Sequence, residues 1–114
     1  MGLMPSLRQK KRYVVFEIIA EKKFAIQEVR AAVDEALRSF LGQLGIGKAA
    51  PLFVEEKFDF DAQKFMLKVN NKFVDEIKMG VALCKSIKNN PIIIKSVIVS
   101  GSIKKAGEKS KTKT

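Results

Sequence analysis

Histidine and tryptophan are missing from this 114-residue chain, cysteine and tyrosine occur once each, and 22 bases face only twelve acids. Without histidine, the commonest general base and metal ligand is gone, so catalysis by these side chains alone is disfavoured. A lone Cys84 excludes an intramolecular disulfide and fits a reducing compartment. No apolar run approaches the ~20 residues that span a bilayer. The stretch from Val14 to Ala20 is short and broken by Glu17, unlike the apolar region of a secretory signal. The expectation is one small domain in the cytoplasm, with no membrane partner.

The surplus charge is concentrated at the two ends. Residues 1–12 carry Arg8, Lys10, Lys11 and Arg12 and no acid. Residues 101–114 carry Lys104, Lys105, Lys109, Lys111 and Lys113 against Glu108 alone. The 88 residues between hold 13 bases and 11 acids, so the centre is nearly neutral. Cations clustered in this way displace counterions from phosphate, the term that dominates non-specific nucleic-acid affinity. A solvated tail that aids solubility is the plainer reading of the C-terminal run. The expected layout is a basic arm over 1–11, a folded domain over 12–103 and a basic tail over 104–114.

β-branched and aromatic residues predict a strand over Arg12–Ala20. Ile26, Val29, Val33, Ala36, Leu37, Phe40 and Leu44 recur at the spacing of one buried helix face, predicting a helix over Ala25–Leu44. Gly42, Gly45 and Gly47 are expected to fray or end it. A less regular strand is expected over Pro51–Phe60 and an alternating one over Lys64–Asn70, joined as an antiparallel hairpin. Asn71 is placed to cap a second helix burying Val74, Ile77, Val81, Cys84 and Ile87, which Asn89-Asn90-Pro91 stops. A last strand covers Ile92–Val99. The order β-α-β-β-α-β predicts an α+β, ferredoxin-like (RRM-like) sandwich, a four-stranded antiparallel sheet with both helices on one face.

Few residues in this pattern carry chemistry. Cys84 lies on an apolar stripe with no base beside it, which reads as a small buried hydrophobe. Asp59 and Asp61 offer oxygens for Mg²⁺, but an Asp pair at a hairpin is more simply turn chemistry. No catalytic or metal-ligating residue is assigned. The RNA-recognition motif would need two exposed aromatics in a Gly-rich third strand, and Lys64–Asn70 has only Phe65 and no glycine. Tyr13 and Phe16 fall on opposite faces of the first strand, so base stacking on the sheet is not expected. An apolar open sheet face, and the glycine-flanked Leu44 and Ile46, suit a protein partner. Met1-Gly2-Leu3-Met4-Pro5-Ser6 also fits the permissive N-myristoylation template, followed by the polybasic run. That rival leaves the second basic cluster unexplained. A ferredoxin-like regulatory domain with a small ligand would need a polar pocket that no fixed spacing marks.

Two terminal motifs resemble one family. Leu7-Arg8-Gln9-Lys10-Lys11-Arg12-Tyr13-Val14-Val15-Phe16 is similar to the opening of archaeal ribonuclease P protein component 2, which sets a Leu-Arg-x-Lys-x-Arg-Tyr run before its first strand. Val97-Ile98-Val99-Ser100-Gly101-Ser102-Ile103-Lys104-Lys105 is similar to its closing strand, with Ser102 in place of threonine. The resemblance runs over roughly residues 5–105. It implies a protein subunit of the ribonucleoprotein that removes the 5′ leader from precursor tRNA, in which the RNA catalyses hydrolysis with bound Mg²⁺. No cofactor is then expected on this chain. The implied partners are ribonuclease P RNA, a barrel-shaped protein subunit (component 3), other ribonuclease P proteins and precursor tRNA, with a dimer of heterodimers as the assembly. The RNA contacts expected are Arg8, Lys10, Lys11, Arg12, Ser100, Ser102, Lys104 and Lys105, with Gly101 permitting close approach to phosphate.

Overall fold

A computed structural model describes residues 10–101. Most of the expected arm, the tail, and the candidate residues Arg8, Ser102, Lys104 and Lys105 lie outside the described residues. Strand β1 (Lys11–Ile19) pairs antiparallel with β3 (Lys64–Asn70) on one side and β6 (Ile93–Ser100) on the other. The short β2 (Leu52–Phe53) lies outside β3, giving the sheet order β2-β3-β1-β6. Helices α1 (Ile26–Ala49) and α2 (Val74–Ala82) cover one face. This is the expected four-stranded antiparallel sandwich, with β1 and β3 central and β2 and β6 at the edges.

Alternation along the strands divides the side chains between two faces. Val14, Phe16, Ile18, Phe65, Leu67 and Val69 point under the helices and join Val29, Val33, Leu37, Ile77 and Val81 in one buried core. Phe65 is sandwiched between Phe16 at 5.2 Å and Phe53 at 5.5 Å between ring centroids. Aromatic pairs of this kind add about 0.5–1.5 kcal/mol each beyond their burial. On the far face, Val15, Val54 and Met66 form a second, small cluster with Tyr13, Val97 and Ile98 against it. A register shift between Val15 and Phe16 leaves Val97 as an extra residue in β6, so Val97 and Ile98 both reach this cluster.

Four local readings are corrected. Gly42 does break helix α1, at φ 72, ψ 175, but Gly45 and Gly47 do not end it: a second helical segment resumes and runs through Ala49. Burial of Ala49 and packing of Ile46 on the core hold that second segment. Leu44 stays 80% exposed because the break at Gly42 turns the following residues away from the core, and Phe40, before the break, is 38% exposed. Ile46 is accordingly not part of an exposed docking segment.

The second strand is interrupted after Phe53 by a single 3₁₀ turn at Glu55–Lys57, which points three charged residues outward while Phe53 and Phe58 cover Phe65. The hairpin still closes, through Asp59 N to Lys64 O at 2.9 Å and Lys64 N to Asp59 O at 3.1 Å. The second helix is shorter than its pattern suggested and has no side-chain cap; Asn71 opens a 3₁₀ turn (Asn71–Phe73) before it, which the Asn70 side chain caps. Beyond Leu83 the chain forms a tight hairpin of β4 (Ser86–Ile87) and β5 (Asn90–Pro91) around Lys88 and Asn89, both at positive φ. Ile87 is buried from a strand, three residues after buried Cys84, which imitates a helical repeat.

Candidate nucleic-acid interface

The antiparallel register sets the start of β1 beside the end of β6. Tyr13 stands opposite Ser100, so the start of β1 and the end of β6 leave the sheet side by side. Lys10 is exposed, and Lys11 and Arg12 are half-buried. Arg12 Nη1 lies 3.1 Å from where a Cβ on Gly101 would stand. The space that Gly101 leaves open is therefore filled by the Arg12 guanidinium. Gly101 is exposed, whereas Ser100 is nearly buried.

The third strand of this sheet brings further groups to the same end. Lys11 pairs with Asn70, and Asn71 N–H donates to Lys10 O at 2.8 Å. Asn70, only 2% exposed, accepts from Lys72 N–H at 3.0 Å through Oδ1 and donates to Lys48 O at 3.1 Å through Nδ2. Lys48 and Lys72 are exposed. Among the described residues, ion pairs occur elsewhere, at Lys23–Asp61, Arg30–Glu55, Arg38–Asp34, Lys88–Glu28 and Lys95–Glu17. Among the described residues, no carboxylate lies within ion-pair distance of Lys10, Lys11, Arg12, Lys48 or Lys72. Cations without internal partners keep their charge available to an external polyanion.

The other sequence candidates carry no chemistry here. Cys84 lies on the turn after α2, not within a helix, with Sγ 3.9 Å from Ala32 O and 3.7 Å from Ser86 O. Burial pushes its thiol pKa up, against a smaller opposing effect of the Ser86 backbone. Asp59 accepts from Ala62 N–H at 3.0 Å, which is turn chemistry, and Asp61 pairs with Lys23 at 3.6 Å. Among the described residues, no group of three or more acidic or thiol side chains is placed to hold a metal ion. Phe16 and Phe65 are 1% and 0% exposed under the helices, so neither can stack on a base. A groove of about 610 Å³ beside β2 is lined by Tyr13, Leu52, Arg30, Lys68, Glu55 and Glu56 among others; Arg30 is engaged by Glu55, so the lining carries no surplus of positive charge.

The model of the Rpp14/Pop5 family matches residues 12–111. The chain belongs to the Rpp14/Pop5 family. Over 107 residues it is 37% identical to "Ribonuclease P protein component 2" of Thermococcus kodakarensis, covering 94% of this chain and 88% of that one. The protein of the same name from Pyrococcus furiosus is 36% identical over the same length and shares. That from Methanococcus vannielii is also 36% identical, with 79% of its length covered. Among solved structures, a chain in "Cryo-EM structure of yeast Ribonuclease MRP" superposes with TM-score 0.65 at 16% identity, covering 92% of this chain and 94% of that one. That likeness establishes a shared fold.

Within this Rpp14/Pop5 fold, the structure brings Lys10, Lys11, Arg12, Ser100 and Gly101 to one end of the sheet. Sequence reasoning missed Lys48, Asn70 and Lys72 because it weighed the ends of the chain and not the ends of the sheet. The signal for Asn70 and Lys72 was present: an antiparallel β1–β3 pair must set the last residue of β3 against the first of β1. Nothing comparable marked Lys48, whose place depends on the helix continuing past Gly42.

Proposed function

We propose that this chain is an RNA-binding protein subunit of ribonuclease P, supporting a catalytic RNA in removing the 5′ leader from precursor tRNA. The observation that carries this reading is the 33–38% identity over 94% of the chain to archaeal proteins named ribonuclease P protein component 2. The grouping of Lys10, Lys11 and Arg12 with Lys48 and Lys72 at one end of the sheet supports it physically. In this reading Lys10, Lys11 and Arg12 neutralise backbone phosphates before β1, and Arg8, Ser102, Lys104 and Lys105 extend that contact along the chain. Gly101 serves by leaving room for the Arg12 guanidinium. The phosphodiester chemistry belongs to the partner RNA and its Mg²⁺, and no cofactor is assigned to this chain. A barrel-shaped protein subunit, joined in a dimer of heterodimers, is the protein partner in the same reading. The exposed Leu44 and Leu52 are the apolar surfaces offered to it, since Val15 and Met66 on the far sheet face are themselves buried.

Charge reversal at Lys10, Lys11 and Arg12 tests the reading. The triple variant should bind the host's ribonuclease P RNA far more weakly, with the slope of log affinity against log salt reduced by about 2–3. Its melting temperature should stay close to that of the parent chain. Unchanged RNA affinity would remove the interface.

A further inference from the structure

The geometry points to a second phosphate-binding strip, formed by Lys48 and Lys72 and held in place by the buried amide of Asn70. This inference rests on the RNA-binding reading and assigns to it a surface drawn from the middle of the chain.

Asn70 joins three segments distant in sequence. Its Nδ2 donates to Lys48 O in the last turn of α1, and its Oδ1 accepts from Lys72 N–H in the 3₁₀ turn after β3. Its backbone stands opposite Lys11, and the next residue binds the Lys10 carbonyl. One amide group therefore fixes the backbones from which Lys48 and Lys72 project, beside those of Lys10 and Lys11. The Lys48 carbonyl is one of the four that an α-helix leaves unsatisfied at its C-terminus, so Asn70 also completes that helix end. An apolar side chain of similar size would leave the Lys48 carbonyl and the Lys72 amide without this partner.

Simpler roles exist for each residue. Lys48 complements the helix dipole and Asn70 caps a turn. Neither role accounts for the charge left over. Asp75 and Glu76 follow Lys72 in the first turn of α2, yet neither forms an ion pair with it among the described residues. The ligand suited to exposed ammonium groups without acids beside them is a phosphodiester backbone, bound without regard to base. The strip extends the β1 contact across the end of the sheet towards α1, so an RNA strand meets cations from three segments at once.

Salt titrations of the full chain with the host's ribonuclease P RNA as probe, read by fluorescence anisotropy, test this. The pair Lys48→Gln and Lys72→Gln should lower affinity roughly 25- to 60-fold at 0.1 M salt and reduce the salt slope by about 1.4–1.8. Lys57→Gln with Lys85→Gln, two exposed lysines elsewhere, should change neither quantity appreciably. An equal loss from that control pair would mean diffuse attraction and overturn the strip. If Lys10→Gln with Lys11→Gln weakens binding while the Lys48 and Lys72 pair does not, the strip is overturned and the RNA-binding reading stands. If neither pair matters, both fall. Asn70→Ser should reduce the slope with every lysine still present, and should cost nothing further when combined with the Lys48 and Lys72 changes. Additive losses would contradict a positioning role for Asn70. Should Asn70→Ser fail to fold, the lysine pair decides the question alone.

Discussion

Replacing Gln63 with alanine isolates the contact that ties the hairpin to the rest of the domain. Gln63 is 6% exposed; its Oε1 accepts from Phe24 N–H at 2.8 Å, while Nε2 donates to Phe24 O at 3.2 Å and to Phe60 O at 2.8 Å. Its backbone carbonyl accepts from Ile18 N–H at 2.8 Å and survives the change. Three side-chain bonds are lost, at about 1 kcal/mol each, and the Phe24 N–H is stranded in a residue that is 0% exposed. Gln63 sits at φ 52, a strain that alanine shares, so that contribution nearly cancels. The expected loss is about 3 kcal/mol, or a fall in melting temperature of about 12–24 °C for a domain of this size. Urea denaturation should show a lower midpoint with the slope unchanged. RNA affinity of the folded variant should be unaltered, because Ile18 lies at the opposite end of β1 from Lys11. A loss below 1 kcal/mol would refute the reasoning, since the amide would then have been no better than water.

A methyl group at Gly80 would stand 2.9 Å from Leu37 Cδ2 and 3.1 Å from Phe40 Cδ2, on the face of α2 that packs against α1. Gly80→Ala should therefore destabilise the domain by about 1–3 kcal/mol despite alanine's better helix propensity, and a gain in denaturation midpoint would contradict this packing. The Glu28 carboxyl is held below its ordinary pKa, first by the Ala25 N–H that it accepts at 2.9 Å and then by Lys88 at 3.1 Å. A depressed carboxyl stabilises the fold fully above its unfolded pKa of about 4.3, and that stability is lost as pH falls through the lower folded value. Melting temperatures taken from pH 6 down to pH 3 should fall more steeply for the parent chain than for Glu28→Gln. Parallel curves would contradict the assignment.

Where the sequence was legible, a single period ran through residues that share one environment. Phe65, Leu67 and Val69 alternate cleanly because β3 is central and its helix-side face is wholly buried. Val14, Phe16 and Ile18 do the same in β1, and with the two helices these strands suffice for the sandwich. Legibility failed where two signals competed. Gly42 breaks α1 locally, yet Ile46 and Ala49 find the core beyond it, a tertiary contact that no local propensity encodes. Ile87 keeps helical spacing with Cys84 while lying in a two-residue strand. The terminal cations were visible as composition, and the meeting of Arg12 with Gly101 followed from topology. The Lys48–Asn70–Lys72 arrangement was not visible, because one buried amide reaching across 22 residues leaves no periodic trace.

The most direct measurement is cleavage of precursor tRNA by the host's ribonuclease P RNA, reconstituted with its protein subunits in the presence or absence of this chain. Leader removal should rise when the chain is added, fall again with the charge-reversed Lys10, Lys11 and Arg12 variant, and be undetectable with the chain alone. Cleavage by the isolated polypeptide, or an identical rate whether or not it is included, would contradict the account.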